Sequence, residues 1–458
     1  MSHQSLRPAA ARSAGRSASK FPFAAASRTY MLLGAGLIFI ALMFLSRAFG
    51  YALLAWNLIV LVLWAMDLAR LPHPASLEVE RTFCGPLAQL DSSEVELQII
   101  NRSPRIVRLT LRDDVPEGIS PEAAHVTATV GPKAEVSTHN TLVPQHRGEH
   151  HYGQVHARVE SALRLAQRWI VFDLRQSVKV YPNLKGTADQ EVMLTRSRQI
   201  EMQQRLLRQR GHGREFESLR DFQTGDEWRN ICWTASARRG RLVSTMRQTE
   251  RSQTIVSVLD CGRLMRARMN RKSKLDYATE TALRLAQLAS YSGDNSAMLA
   301  YGSQVQQRLM AGKGEHHLRA LLEQLALVRE QPGEADHLRA AAALQGMQKR
   351  RAMIVWITDI ADLSITPEVV AAALQASRRH LVVMAVLGQP DVRTLVAQPP
   401  ADNTSLFRFA AASETIGRRE LILSQLQSQG VHVIEVDAPE LTGAVLNKYL
   451  EVKQRSLL

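Results

Sequence analysis

The sequence predicts a multi-domain, membrane-anchored chain. It has an N-terminal transmembrane helical hairpin, an antiparallel β-sandwich and a C-terminal α/β domain. Three observations predict this. Two long windows without charge follow a basic tail. A run of short alternating segments then gives way to strands and helices in alternation. The 458 residues also exceed what one ordinary hydrophobic core organises.

Residues 1–28 carry Arg7, Arg12, Arg16, Lys20 and Arg28 and no acid. This Ala- and Ser-rich segment reads as a basic disordered tail. Residues 29–70 read as the hairpin. No charge lies between Arg28 and Arg47 or between Arg47 and Asp67, and each window is close to the ~20 residues that cross a bilayer. Tyr30, Tyr51 and Trp64 stand near the window ends, where interfacial aromatics are favoured. A cleaved signal peptide is the rival for the first window, but the second follows at once with no small-residue cleavage site between them. Asn57 is the one strongly polar side chain inside the windows and suits helix pairing. The basic tail places the N-terminus in the cytoplasm, and two spans return the chain there. The expected location is therefore the inner (cytoplasmic) membrane, with soluble domains in the cytoplasm.

Residues 75–182 read as the sandwich. SLEVERTF, SEVELQII, RIVRLTLRDD, HVTATV, AEVSTHNTLV and SVKVYP alternate and are separated by Gly- and Pro-rich turns. His146, His150, His151 and His156 cluster around RGEHHYGQV, but their spacing is that of a polar hairpin rather than a ligand set. Residues 183–251 read as a connecting helix followed by an Arg- and acid-rich signature. Residues 252–458 alternate strand and helix, which argues a parallel sheet with helices on both faces. Ligands in such sheets sit at strand carboxyl ends, and Asp260 and Asp359 stand there. Gly211-His212-Gly213 follows no strand and lacks a third glycine, so it is not a dinucleotide fingerprint.

The formal net charge is +14, which favours an anionic partner or surface. Cys84, Cys232 and Cys261 form no CxxC pair and are odd in number. Neither a disulfide framework nor a zinc site is expected, and a reducing compartment fits. No nucleophile–base set is evident, so the chain is not expected to be an enzyme.

The segment GHGREFESLRDFQTGDEWRNICWTASAR is similar to domain-of-unknown-function family 58. The resemblance rests on Gly211, Gly213, Glu215, Phe216, Leu219, Arg220, Gly225, Asp226, Arg229, Ile231, Trp233, Ser236, Ala237 and Arg238, with Phe222 where the family usually has Tyr. It implies a partnership with a MoxR-type AAA+ ATPase, and hence a membrane-anchored adaptor or scaffold in protein maturation or complex assembly. The stretch VLDCGRL resembles the opening of a von Willebrand factor A domain, whose metal-ion-dependent adhesion site uses Asp-x-Ser-x-Ser, a later Thr and a further Asp. Asp260 matches the first Asp and Asp359 the last, but Gly262 and Leu264 replace both serines. The resemblance therefore implies a degenerate candidate metal site at Asp260 and Asp359. No cofactor is expected, and Mg²⁺ is not expected to bind. The carboxylates would instead cap helices or bind Arg263 and other nearby bases.

In the signature, acids and arginines alternate and can lock one another in place. Arg220, Asp226, Arg229 and Trp233 are expected to form an internal brace. Trp228 and the run Arg238, Arg239 and Arg241, which has no acid beside it in sequence, are expected to face a partner. A nucleic-acid-binding role for the Arg-rich signature is the alternative. It is not favoured, because many of these arginines have acidic neighbours and no stacking aromatics are interleaved in a recognised nucleic-acid fold.

Overall fold

The computed structural model describes residues 13–14, 23–44, 46–183, 215–223, 228, 231–248, 252–360, 367–455 and 457. The chain divides into two compact units, 1–183 and 184–458.

The first unit begins with β1 (Ser13–Ala14) and β2 (Phe23–Ala25), then α1 (Ser27–Ala35), α2 (Leu37–Leu42) and α3 (Ala48–Ala69). Its strands continue as β3 (Leu77–Phe83), β4 (Leu87–Ala88), β5 (Ser93–Asn101), β6 (Val107–Asp113) and β7 (Ile119–Pro121). Then come β8 (Val126–Val130), β9 (Glu135–Pro144), β10 (Gly148–Tyr152), β11 (Val155–Glu160), β12 (Ala166–Phe172) and β13 (Gln176–Tyr181). Two five-stranded sheets form, ordered β1-β3-β5-β9-β7 and β2-β12-β11-β6-β8, with a smaller sheet β10-β13-β4. Alternation explains the packing. Val95, Leu97 and Ile99 of one sheet and Leu109, Leu111, Ala157 and Val159 of the other point inward and are buried. Leu97, Ile99, Leu109 and Val159 share one core, so the sheets close as a sandwich.

The expected strands are present, and the structure adds VHARVE and AQRWIVF. In AQRWIVF, half-buried Arg168 on the face of buried Ala166 and Ile170, with exposed Trp169 beside it, masks the alternation. The tail read as disordered is not wholly so. Ser13–Ala14 pairs with Val79 and Glu78, and Phe23–Ala25 pairs with β12, because both sheets present an open edge whose backbone groups can pair.

By length and composition, α3 is the one helix among the described residues able to cross a bilayer. The first expected span is instead two shorter apolar pieces, α1 and α2, joined at Gly36. The indole of Trp56 lies over that position, where a Cβ would approach Trp56 Cδ1 to 2.8 Å. Trp56 Nε1 also donates to the Leu32 carbonyl at 2.9 Å. At the end of α3, Asp67 is fully buried and accepts from Ser161 Oγ, from Leu163 N at 3.3 Å and from Leu165 N at 3.0 Å. The charge that closes the apolar window is thus a fastening to the sandwich.

In the second unit, β14 (Glu215–Asp221) pairs antiparallel with β15 (Val243–Gln248), and α4 (Trp233–Arg239) lies between them. The α/β domain then runs β16 (Thr254–Asp260), β17 (Arg268–Met269), β18 (Lys272–Ser273), α5 (Lys274–Tyr291), β19 (Asn295–Tyr301) and β20 (Val305–Gly312). It continues with α6 (Glu315–Leu327), α7 (His337–Met347), β21 (Met353–Thr358), α8 (Pro367–Ser377) and β22 (Leu381–Leu387). It ends with α9 (Pro390–Ala397), α10 (Asn403–Ser428), β23 (His432–Val436) and α11 (Leu441–Gln454). The sheet order is β20-β19-β16-β21-β22-β23. Every pairing is parallel except that of β20 with β19. Alternate residues of β16 feed two cores. Ile255 and Leu259 pack with α5 and α11, and Val256 and Val258 pack with α7, α8 and α10. The doubly wound arrangement matches the sequence reading. The antiparallel edge strand β20 and the helices α7 and α9 are additions to it.

Candidate functional site

Asp260 ends β16, and Thr358 ends its parallel neighbour β21 with Asp359 next in line. Both carboxylates therefore stand at the carboxyl edge of the sheet, where its order reverses around the central strand. Both are buried, at 4% and 2% exposure.

Their partners differ in kind. Asp260 accepts from the Thr358 hydroxyl at 2.6 Å and from Gly262 N at 2.7 Å. Burial pushes its carboxyl up to about 6, and the neighbouring Asp359 and Glu334 charges push the same way against those two hydrogen bonds. Asp359 instead receives cations. Lys274 Nζ lies 2.6 Å from Oδ2, and Arg419 Nη1 lies 3.0 Å from Oδ1. Arg419 also donates to the carbonyls of Ile360 and Leu387 and to Glu435 at 2.9 Å. Lys274 and Arg419 are 4% and 5% exposed, so this is a buried ionic network.

Local sequence explains how a lysine comes to be there. Ser273 caps α5 reciprocally with Asp276, at 3.1 and 2.9 Å, which makes Lys274 the first helical residue. A cation at a helix N-terminus is opposed by the helix dipole. The Asp359 carboxylate offsets that opposition.

This donor set does not suit a hard dication. The serine positions are Gly262 and Leu264, and a Cβ at Gly262 would come within 2.9 Å of Ala335 N. An ammonium already neutralises Asp359. The expectation that Arg263 binds these carboxylates is not met: it pairs with Glu334 at 2.7 Å. The hydroxyl not found by sequence reading is Thr358, which sits beside Asp359 rather than on an earlier loop. Beside the site, Trp356 Nε1 donates to Tyr301 Oη at 2.8 Å, and that hydroxyl lies 2.7 Å from His337 Nδ1. Burial pushes His337 down to about 4.

The signature forms a second feature. Glu215, Phe216 and Arg220 lie on β14, whereas Gly213, Gly225, Asp226 and Arg229 fall outside the described residues. Cys232 N donates to Val243 O at 2.9 Å, and Ser236 Oγ accepts from Val243 N at 2.9 Å while donating to Cys232 O at 2.8 Å. Gly240, at φ 65°, ends α4 in the left-handed region. This frame presents Trp228 at 71% and Trp233 at 66% exposure, with the Phe222 ring tilted by 40° against Trp228 at a centroid distance of 5.5 Å.

Two expectations are corrected here. Trp233 is not an internal brace: as the first residue of α4 it points to solvent. Arg241 is not without an acid, because the hairpin brings Asp221 to 2.8 Å. Arg238 and Arg239 are exposed. The histidines of the RGEHHYGQV stretch do not converge. His150 contacts the His146 carbonyl at 3.0 Å, and His156 lies on a strand of the other sheet.

Residues 218–396 match the family model described as Protein of unknown function DUF58, from within β14 to α9. This segment is similar to that family, and the strands and helices from β16 to β22 form most of it. The uncharacterized protein YeaD of Bacillus subtilis (strain 168) is 26% identical over 166 residues, which are 34% of this chain and 40% of that protein. The chain thus matches about two fifths of the length of that relative. Among solved structures, an aerotolerance-related membrane protein from Bacteroides fragilis NCTC 9343 is 17% identical at a TM-score of 0.29, covering 43% of this chain and 99% of that one. BatB from Bacteroides thetaiotaomicron is 16% identical at 0.31, covering 44% and 99%. The VWA domain of SpRpn10 is 13% identical at 0.26, covering 43% and 94%.

Proposed function

We propose that the chain is a membrane-anchored adaptor or scaffold whose DUF58 segment docks a MoxR-type AAA+ ATPase during protein maturation or complex assembly. One observation carries the reading. Asp359 at the sheet edge is engaged by the chain's own Lys274 and Arg419 and Asp260 by Thr358 and Gly262 N, while Trp228 and Trp233 of the signature face outward. An internally neutralised centre suits a rigid display platform better than a reaction centre. Exposed Trp and Arg are favoured anchors in protein interfaces. The reading assigns the chain no catalytic step and no cofactor.

Helix α3 supports the anchoring part, and the basic residues before α1 favour the cytoplasmic side of the inner membrane. A reporter at the C-terminus should register in the cytoplasm; periplasmic exposure would overturn the topology. Docking is tested with the full-length chain in detergent and a purified MoxR-type ATPase from the same cells. Association should be weakened at least about tenfold by Trp228→Ala with Trp233→Ala, since hot-spot aromatics contribute about 2 kcal/mol or more. Absence of association, or association indifferent to both substitutions, contradicts the proposal.

A further inference from the structure

A second cation-binding geometry lies in the sandwich, away from any motif. The ligand atoms of Cys84, Glu94 and His139 all lie within 4.8 Å of one another, and all three residues are exposed. Strand register brings them together. Cys84 follows the end of β3, and its backbone N–H donates to Glu94 O at 3.1 Å. Glu94 is on β5, and the same strand sets Glu96 directly opposite His139 of β9. Val95 and Leu97 are buried, so Glu94 and Glu96 share the outward face. Among the described residues, neither carboxylate has an ion-pair partner.

We propose that Cys84, Glu94 and His139 form a surface site for a borderline divalent transition metal, with zinc the best fit. The donor chemistry selects the metal. A thiolate, an imidazole and a carboxylate are a zinc-type set, whereas Mg²⁺ takes oxygen ligands in octahedral array. Ligand atoms around tetrahedral zinc stand about 3.3–3.8 Å apart, given bonds of about 2.0–2.3 Å. Exposed side chains need rotate only by about one ångström to close that gap. Glu96 adds a second negative charge beside the site, which a dication offsets. Three protein ligands leave a fourth position open to water or to a donor from a partner. The site departs from the sequence expectation of no zinc, because its ligands come from two strands and the residue that follows a third rather than from one motif.

Cobalt(II) is the probe, titrated into the full-length chain in detergent. The expected result is a thiolate-to-cobalt charge-transfer band at one equivalent, displaced by Zn²⁺ and not by Mg²⁺. Cys84→Ser should abolish the band. His139→Ala and Glu94→Gln should each weaken binding at least about tenfold, as even outer-sphere losses cost that much. Glu96→Gln should keep the band. All four variants should melt like the parent, since Cys84, Glu94 and His139 are exposed and Glu96 is half-buried on the outward face. The proposal is overturned if the parent shows no thiolate band. It is equally overturned if the band survives Cys84→Ser, or if neither His139→Ala nor Glu94→Gln alters affinity.

Discussion

The sheet edge at Asp260 and Asp359 and the outer face around Cys84 are opposite cases of a cation site. The first is marked in the sequence by motif and by its place at strand ends; the chain's own cations hold Asp359, and a hydroxyl and a backbone N–H hold Asp260. The second has no motif, yet it gathers a thiol, an imidazole and carboxylates that have no ion-pair partner among the described residues. The difference teaches that position in a fold specifies where charge collects. What satisfies that charge is decided by side chains arriving from elsewhere, here the first turn of α5 and the middle of α10.

The largest expected effect breaks the internal cation. Lys274→Met leaves a buried carboxylate short of one partner and should destabilise the α/β domain by about 3 kcal/mol. Adding Asp359→Asn to that variant should recover part of the loss. Denaturant unfolding measures both. A Lys274→Met chain that unfolds like the parent would remove the distinction between the two sites.

The next effect is in pH dependence. Asp260 titrates near 6 when folded, against an ordinary value of 3.8. Between about pH 4 and 6 the native state therefore holds the proton that the unfolded chain has lost. Stability from this group is full below that window and falls as pH rises through it, by at most about 3 kcal/mol. His337 has the opposite sign. Burial lowers it to about 4, so its contribution is present above about pH 6.5 and is lost as pH falls toward 4. The two slopes oppose each other in the parent. Asp260→Asn should expose the His337 slope, giving stability that rises with pH across this window. An unchanged pH profile in that variant would contradict the assignment.

Smaller effects belong to the surface. The Arg241–Asp221 pair is exposed on both sides, so Arg241→Ala should cost at most about 1 kcal/mol in a thermal or denaturant series. A larger loss would make the pair part of the hairpin's frame rather than of its outer face.

Much of the fold was legible because its signals are local. The alternation of β5 and the buried runs of β16, β21 and β22 follow from side-chain period, and the helices between them from amphipathic spacing. β20 was less legible, since its edge position leaves a half-exposed strand with polar Gln306, Gln307 and Arg308. The first apolar window was readable as apolar but not as two helices, because the break at Gly36 depends on Trp56 of the facing helix. At the candidate site, Asp260 and Asp359 were legible from strand ends. Lys274 and Arg419 were not, since 85 and 60 residues separate them from Asp359. The exposure of Trp233 and the pairing of Arg241 likewise depend on how the hairpin closes.

Calorimetric titration of Mg²⁺ into the full-length chain tests the central claim most directly. If Lys274 serves as the cation of the Asp260–Asp359 centre, the parent gives no saturable heat. Micromolar Mg²⁺ affinity that disappears in Asp260→Ala would show that the centre holds a metal and that Lys274 yields to it.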